Sequence, residues 1–341
     1  GCWSYRSLND ISIVMGIGVD TDPESGGFRV SAEIADLTKS LQDSSPGSKI
    51  IVSRGQTFFD AIRNAKKRLN NRLYIGNIQV MVLSEELART AGILAVVDWC
   101  MRDGEARETI NLVIAKGASA QELLSQEGLG QSIVSLEMDN IITEDNKSTS
   151  STTHVELYEA FFAIHCPGSA LTLPAFHVTE NDGQPIIEAN GIAVFIGDKL
   201  AGFLGPEESK FLLIATNECH GGILPVALRG TGSPDTSLEI QDSRAKTSFF
   251  YRGERLTFRI ETETDVFLAE TTAPIDVMDS AQIQALEDLA GKMIQESIER
   301  LVQVVQGGLK ADVFGFGYNI YQRDVGMWEG LKKDWEAIFP T

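Results

Sequence analysis

The chain has 341 residues, with 29 Lys and Arg against 48 Asp and Glu and a formal net charge of −19. Hydrophobic residues at 43% and charged residues at 23% are ordinary globular proportions, which excludes wholesale disorder. The acidic balance argues against nucleic acid, because Lys and Arg drive phosphate binding, and against lying flat on an anionic membrane. The densest apolar stretch, Gly92 to Val97, is far shorter than the roughly 20 residues of a spanning helix. A chain of this length holds about two to three domains.

Residues 11–19, ISIVMGIGV, are rich in β-formers and lead into a turn cluster from Asp20 to Gly27. The alternating run Phe28 to Ile34 then completes a hairpin. From Ile50 the pattern alternates strand and helix. Phe58, Ile62, Ala65 and Leu69 form one helical stripe, with Thr57 as N-cap. Ile78 to Leu83 reads as a strand, and Ser84 caps a helix whose first turn carries Glu85 and Glu86. Thr109 to Ala115 is a further strand, and Ser119-Ala-Gln-Glu122 is a capping box. The nearly all-polar stretch Thr143 to Thr153 reads as an exposed loop.

Pro167-Gly168 and Asn181-Asp182-Gly183 read as turns. Ile192 to Ile196 and Leu200 to Leu204 flank Gly197-Asp198 as a hairpin, and Pro206 opens a helix. Leu256 to Glu261 alternates apolar and charged residues, a strand with one solvated face. The longest helix carries Ile283, Leu286, Met293, Ile298, Leu301 and Val305 on its stripe. Asp288–Lys292 and Glu296–Arg300 are i,i+4 pairs along it, and Gly307-Gly308 stops it. At roughly 40 Å such a helix lies across a sheet. Trp328, Leu331, Trp335 and Ile338 predict one terminal helix packed back onto its domain. The domains expected are 1–115, N-terminal α/β; 116–187, a small middle domain with the polar loop; and 188–341, C-terminal α+β. The fold class is mixed α/β and α+β, with small mixed or antiparallel sheets and packed helices.

Sites of chemistry are sparse. Gly16-Ile-Gly18 lacks a third glycine and precedes a hairpin, so it is no dinucleotide fingerprint. Asp20, Asp22 and Glu24 imitate a calcium loop, but Ser25 and Ser31 stand where glycine and the closing carboxylate belong. His165-Cys166 and Cys219-His220 could in principle supply zinc ligands. Adjacent residues rarely both face one metal, so these pairs read as structural, as does Cys100. No catalytic residue, metal ligand or cofactor is assigned.

The sequence opens Gly1-Cys2-Trp3 without an initiator Met. A signal peptide removed just before Cys2 fits lipoprotein export with that thiol lipidated, and a trimmed chain is the alternative. Cys2-Trp3, Arg6, Leu8-Asn9-Asp10 and Ile17-Gly18-Val19-Asp20 resemble the start of mature C subunits of spore germinant receptors, the Ger(x)C lipoprotein family. Asp312-Val-Phe-Gly-Phe-Gly317, Trp328 and Lys332-Lys333-Asp334-Trp335 with Phe339-Pro340 resemble that family's end. Ala193 to Leu204 resembles an interior element, with Ile196 where the family more often has Lys or Arg. The resemblance implies a non-enzymatic lipoprotein of endospore-forming bacteria. It would be anchored through Cys2 on the outer face of the spore inner membrane, beside integral membrane A and B subunits. A solute-binding lipoprotein that captures the germinant itself is the second reading, and an envelope hydrolase a third that the sequence disfavours.

Overall fold

A computed structural model of the chain describes residues 11–36, 47–69, 71–126, 128–166, 168–230, 232–252 and 255–341. It divides into two compact units. The first takes the chain up to Ile142 with His154–His165 and Leu171–Ala201; the second takes Thr143–Thr153, Cys166–Ala170 and Gly202–Thr341. Residues 116–187 therefore contribute to both.

In the first unit β1 (Ile11–Thr21) and β2 (Phe28–Asp36) pair antiparallel as expected, with Val19 opposite Val30, and β3 (Gly47–Gly55) continues the sheet on β2. The Thr57 side chain accepts from Asp60 N to start α1 (Phe58–Ala65), which buries Phe58, Ala61, Ile62 and Ala65. A 3₁₀ turn over Lys66–Arg68 follows, so the α-helix ends before Leu69. Beside β1 lie the short parallel β4 (Arg72–Tyr74) and the parallel β5 (Val80–Ser84). Ser84 caps α2 (Glu85–Thr90), which precedes α3 (Leu94–Arg102). Next come β6 (Asn111–Ala115), α4 (Ala120–Leu124) capped by Ser119, α5 (Val134–Ser148) and α6 (Leu157–His165). The strands β7 (Thr172–Asn181), β8 (Gln184–Ile196) and β9 (Lys199–Leu204) turn within Asn181-Asp182-Gly183 and at Gly197-Asp198.

The nine-stranded sheet has the order β3-β2-β1-β5-β6-β7-β8-β9, with β4 off this path on β1. Its centre is parallel, and every residue of β5 and β6 is buried, as strands covered on both faces require. One face packs Val80, Val82 and Val113 against Leu123, Leu124 and Met138. Gly16 belongs to this packing, since a Cβ there would overlap the Ser135 hydroxyl. Two buried carboxylates close the helices laid on the sheet. Asp20 accepts from Ala120 N (2.8 Å) and Gln121 N (3.1 Å) at the start of α4. Glu33, fully buried, accepts from Val134 N (2.9 Å), Ser135 N (3.0 Å), the Ser135 hydroxyl and Ser48 Oγ (2.7 Å) at the start of α5.

In the second unit Pro206 opens α7 (Pro206–Thr216), and the Glu208 carboxylate reaches back to Gly205 N at 2.8 Å. Then β10 (Ile223–Val226), β11 (Thr236–Arg252) and β12 (Arg255–Thr271) form an antiparallel sheet in that order. The helix α8 (Ser280–Val304) packs on α7 and β10, burying Leu286, Ala290, Ile294, Ile298 and Leu301. Ile294 takes the buried place expected for Met293. Gly307-Gly308 does not stop the helix at once: both lie in a π turn, Val305–Leu309, which closes at left-handed Lys310. Lys292 meets Glu296 at 3.8 Å and Arg300 donates to Ser297 Oγ, in place of the two expected pairs.

Two further expectations are corrected here. The polar stretch 143–153 is not one exposed loop: its first six residues finish α5 with Thr143, Glu144, Lys147 and Ser148 exposed, and the rest is partly buried. Asp145 is buried and accepts from Ser151 N (2.8 Å), Thr152 N (2.9 Å) and the hydroxyls of Thr149 and Ser151, while Ser150 Oγ donates to Gly221 O at 2.8 Å. Hydroxyl-rich backbone can be buried when its polar groups find partners. The chain end is not one helix either. After α9 (Phe316–Arg323) come α10 (Val325–Leu331) and α11 (Trp335–Ile338), separated at Lys332–Asp334. Trp328, Trp335 and Phe339 are buried, so the docking onto this unit stands although the helix is broken.

Candidate functional site

The hairpin β11–β12 presents one face to α8. Ser243, Ala245, Thr247 and Phe249 of β11 stand opposite Thr264, Thr262, Ile260 and Phe258 of β12. The alternation recognised from Leu256 to Glu261 puts Phe258 and Ile260 on this half-buried face and leaves Arg259 and Glu261 exposed. The helix does not close over the strand. Between them runs an open groove of about 1510 Å³, walled by Leu256, Phe258 and Ile260 on the strand and Ile294, Ile298 and Val302 on the helix. At its mouth Phe250 and Tyr251 are exposed, with the Arg259 guanidinium 5.7 Å from the Phe250 ring centre. The described residues lining the groove include no His, Cys, Ser or Asp. Its walls are largely apolar and its rim carries charged side chains such as Arg259, Glu287 and Glu299.

The floor at one end is the terminal signature. Phe258 stacks on Phe316 with ring centres 4.3 Å apart, and Trp335 meets Trp328 edge-on at 5.5 Å. Asp312 sits within this cluster and accepts from Phe316 N (3.0 Å), Gly317 N (2.8 Å) and Trp335 Nε1 (3.1 Å). Burial pushes its carboxyl up to about 6, against the downward pull of those donors. Its backbone oxygen accepts from Ala170 N at 2.9 Å. Gly317 has to be glycine: a Cβ would come within 2.7 Å of Gly168 Cα and 2.8 Å of both Trp rings. The motif Asp312 to Gly317, with Trp328 and Trp335, is thus a tie that fastens the chain end.

Cys2, the one site residue assigned from sequence, lies outside the described residues, as do Trp3 and Arg6. The His/Cys pairs form no common centre. His165 Nδ1 lies 2.8 Å from Phe161 O, and His220 is exposed. Cys219 is buried, donating to Gly221 O at 3.3 Å, and burial raises its thiol. No group of three or more His, Cys, Asp or Glu that could hold a metal occurs among the described residues. The calcium-loop imitation is accounted for as well, since Asp20 caps α4 and Asp22 pairs with Arg54 at 3.1 Å. Glu85 and Glu207 stand in first turns as read, pairing with Arg89 (2.8 Å) and Lys210 (3.2 Å). The groove itself was missed from sequence, because β11 gave no signal and only the first part of β12 was recognised.

This two-unit architecture is matched along its whole length by known proteins. Residues 4–178 match the model of a spore germination protein N-terminal domain, and residues 190–341 that of the spore germination B3/GerAC-like C-terminal domain. The chain belongs to the spore germination B3/GerAC-like family. It is similar to spore germination protein KC of Bacillus subtilis (strain 168), 23% identical over 99% of this chain and 88% of that protein. Spore germination protein B3 of the same strain is 22% identical over 99% of this chain and 90% of its own length. The crystal structure of the GerBC protein superposes with a TM-score of 0.61 at 18% identity, covering 95% of this chain and 93% of that one. The fold is therefore the mixed α/β and α+β class expected, with its long C-terminal helix.

Proposed function

We propose that this protein is a non-enzymatic subunit of a nutrient germinant receptor, held as a lipoprotein through Cys2 on the outer face of the spore inner membrane. There it works by contact with membrane-embedded A and B subunits. The observation that carries this reading is that both germination-family domains match in order over 4–178 and 190–341. The anchor is supported by Cys2 standing beside the family-like Trp3. A Cys-linked diacylglycerol would give membrane affinity, because each buried CH₂ contributes about 0.8 kcal/mol and two chains hold where one holds marginally.

The test is a Cys2→Ala variant of the precursor in a sporulating host. Loss of fatty-acid labelling, release from the membrane fraction and a germination defect are expected. Membrane retention with normal germination would refute the anchor. Calorimetric titration of the purified chain with nutrient germinants is expected to show no saturable heat, and saturable binding would favour germinant capture.

A further inference from the structure

We infer that β12 is the edge along which two copies of this chain pair, antiparallel and in one register. The strand order β10-β11-β12 leaves one side of β12 without a partner strand among the described residues. The free side of β11 is treated differently. There Asn217 Oδ1 accepts from Ala245 N at 2.9 Å, and Asn319 and Arg323 donate to Thr247 O at 3.4 and 2.8 Å. β12 is 17 residues long, and its ladder to β11 is regular from Arg255 to Asp265. An unpaired edge of that length is a template for another strand. The open groove follows the same stretch, so an added strand would find an apolar wall on its inward side.

The charges select the occupant. Along the outward face β12 reads Arg255, Thr257, Arg259, Glu261, Glu263, Asp265: bases first, then acids, at alternate positions. An antiparallel copy with Ile260 opposite its own counterpart sets Arg259 against Glu261, Arg255 against Asp265 and Thr257 against Glu263, each pairing occurring twice by two-fold symmetry. Inward, Phe258 meets Thr262 and Leu256 meets Thr264. A slip of one strand by two residues sets Glu261 against Glu261 in one direction and Arg259 against Arg259 in the other. Like charges directly opposite oppose pairing, so one register is singled out. Within the chain Arg259 and Glu261 meet only at 4.0 Å and stay 63% and 59% exposed, which leaves both available. The interface is isologous, closing on a dimer.

Sedimentation of the full chain from micromolar to millimolar concentration tests this. A concentration-dependent dimer is expected, weakened about tenfold or more by Arg259→Glu or by Glu261→Arg, since each creates like-charge pairs twice over. An equimolar mixture of these two variants should recover the dimer, because the altered side chains then face each other with opposite charge. Ile260→Cys should form an intermolecular disulfide across the symmetry axis, suppressed in an Arg259→Glu background. A chain that stays monomeric throughout overturns the inference. So does a dimer indifferent to both charge reversals, or a mixture no stronger than its components. Both charge positions are exposed, so unchanged circular dichroism is expected in both charge-reversal variants.

Discussion

Glu33 in the first unit and Asp312 in the second do related work at very different range. Each is a buried carboxylate that gathers backbone and side-chain donors at a helix start. Glu33 reaches across more than a hundred residues of sequence to α5, whereas Asp312 takes Phe316 and Gly317 from its own loop and adds the Trp335 indole. The comparison separates two ways of placing a charge inside a protein. In the first unit the acid ties together elements distant in sequence, as Asp20 also does at α4. The second folds a short motif around one acid and leans aromatic rings on it.

The strongest attack on the second arrangement is Trp335→Ala. It empties a buried indole site and removes a donor from Asp312, and it is expected to cost about 3–5 kcal/mol in chemical unfolding. A near-zero change together with lost germination would mark this helical stripe as a receptor contact instead. Asp312 is then tested by pH. Its carboxyl stands at about 6 in the folded chain against a reference of 3.8, so the folded state binds that proton more tightly. Its stabilising contribution is complete below the unfolded value and is lost as pH rises through about 6. Relative to Asp312→Asn, the parent chain should gain about 2 kcal/mol on acidification from pH 7 to about 4. An identical pH slope in both proteins would refute this.

Glu33→Gln tests the long-range tie. It retains the shape but loses charge-assisted bonds to Val134, Ser135 and Ser48, at an expected cost of about 2 kcal/mol in unfolding free energy. An unchanged unfolding midpoint would show that α5 is held by packing alone. The smallest effect is at His220, which is exposed. His220→Ala should stay within about 0.5 kcal/mol, and metal analysis of the parent chain should find no stoichiometric zinc. Zinc lost on this substitution would reopen the His/Cys reading.

Features set within a few residues were legible in the sequence. Thr57, Ser84 and Ser119 cap where they were read to cap, the 181–183 turn is present, and the turn at 197–198 joins the two strands it was assigned to. What failed depended on partners far along the chain. Ser150 is buried because Gly221 O, 71 residues away, accepts its hydroxyl, and no local pattern carries that information. β11 escaped notice because its run from Asp242 to Lys246 is largely polar. α5 escaped because its buried side mixes Ser135 and Asp145 with Met138 and Ile142. For β12 the alternation was visible, but its place at the edge of a sheet is a property of strand order. The terminal signature was recognised as a resemblance, and its physical meaning emerged only with Asp312 at its centre.

The second unit is assembled from pieces that leave the ribosome at different times. Thr143–Thr153 and Cys166–Ala170 belong to it, yet its remaining residues begin only at Gly202. At roughly 5–20 residues per second, the stretch from Ser150 to the last residue takes on the order of 10–40 s to emerge. During that interval Asp145 already has its own hydroxyls, but the hydroxyl of Ser150 must wait for Gly221 and the amide of Ala170 for Asp312. No single cut therefore separates the two units, and a chain truncated before Gly221 would strand the Ser150 hydroxyl. Folding of the second unit waits on residues as late as Asp312.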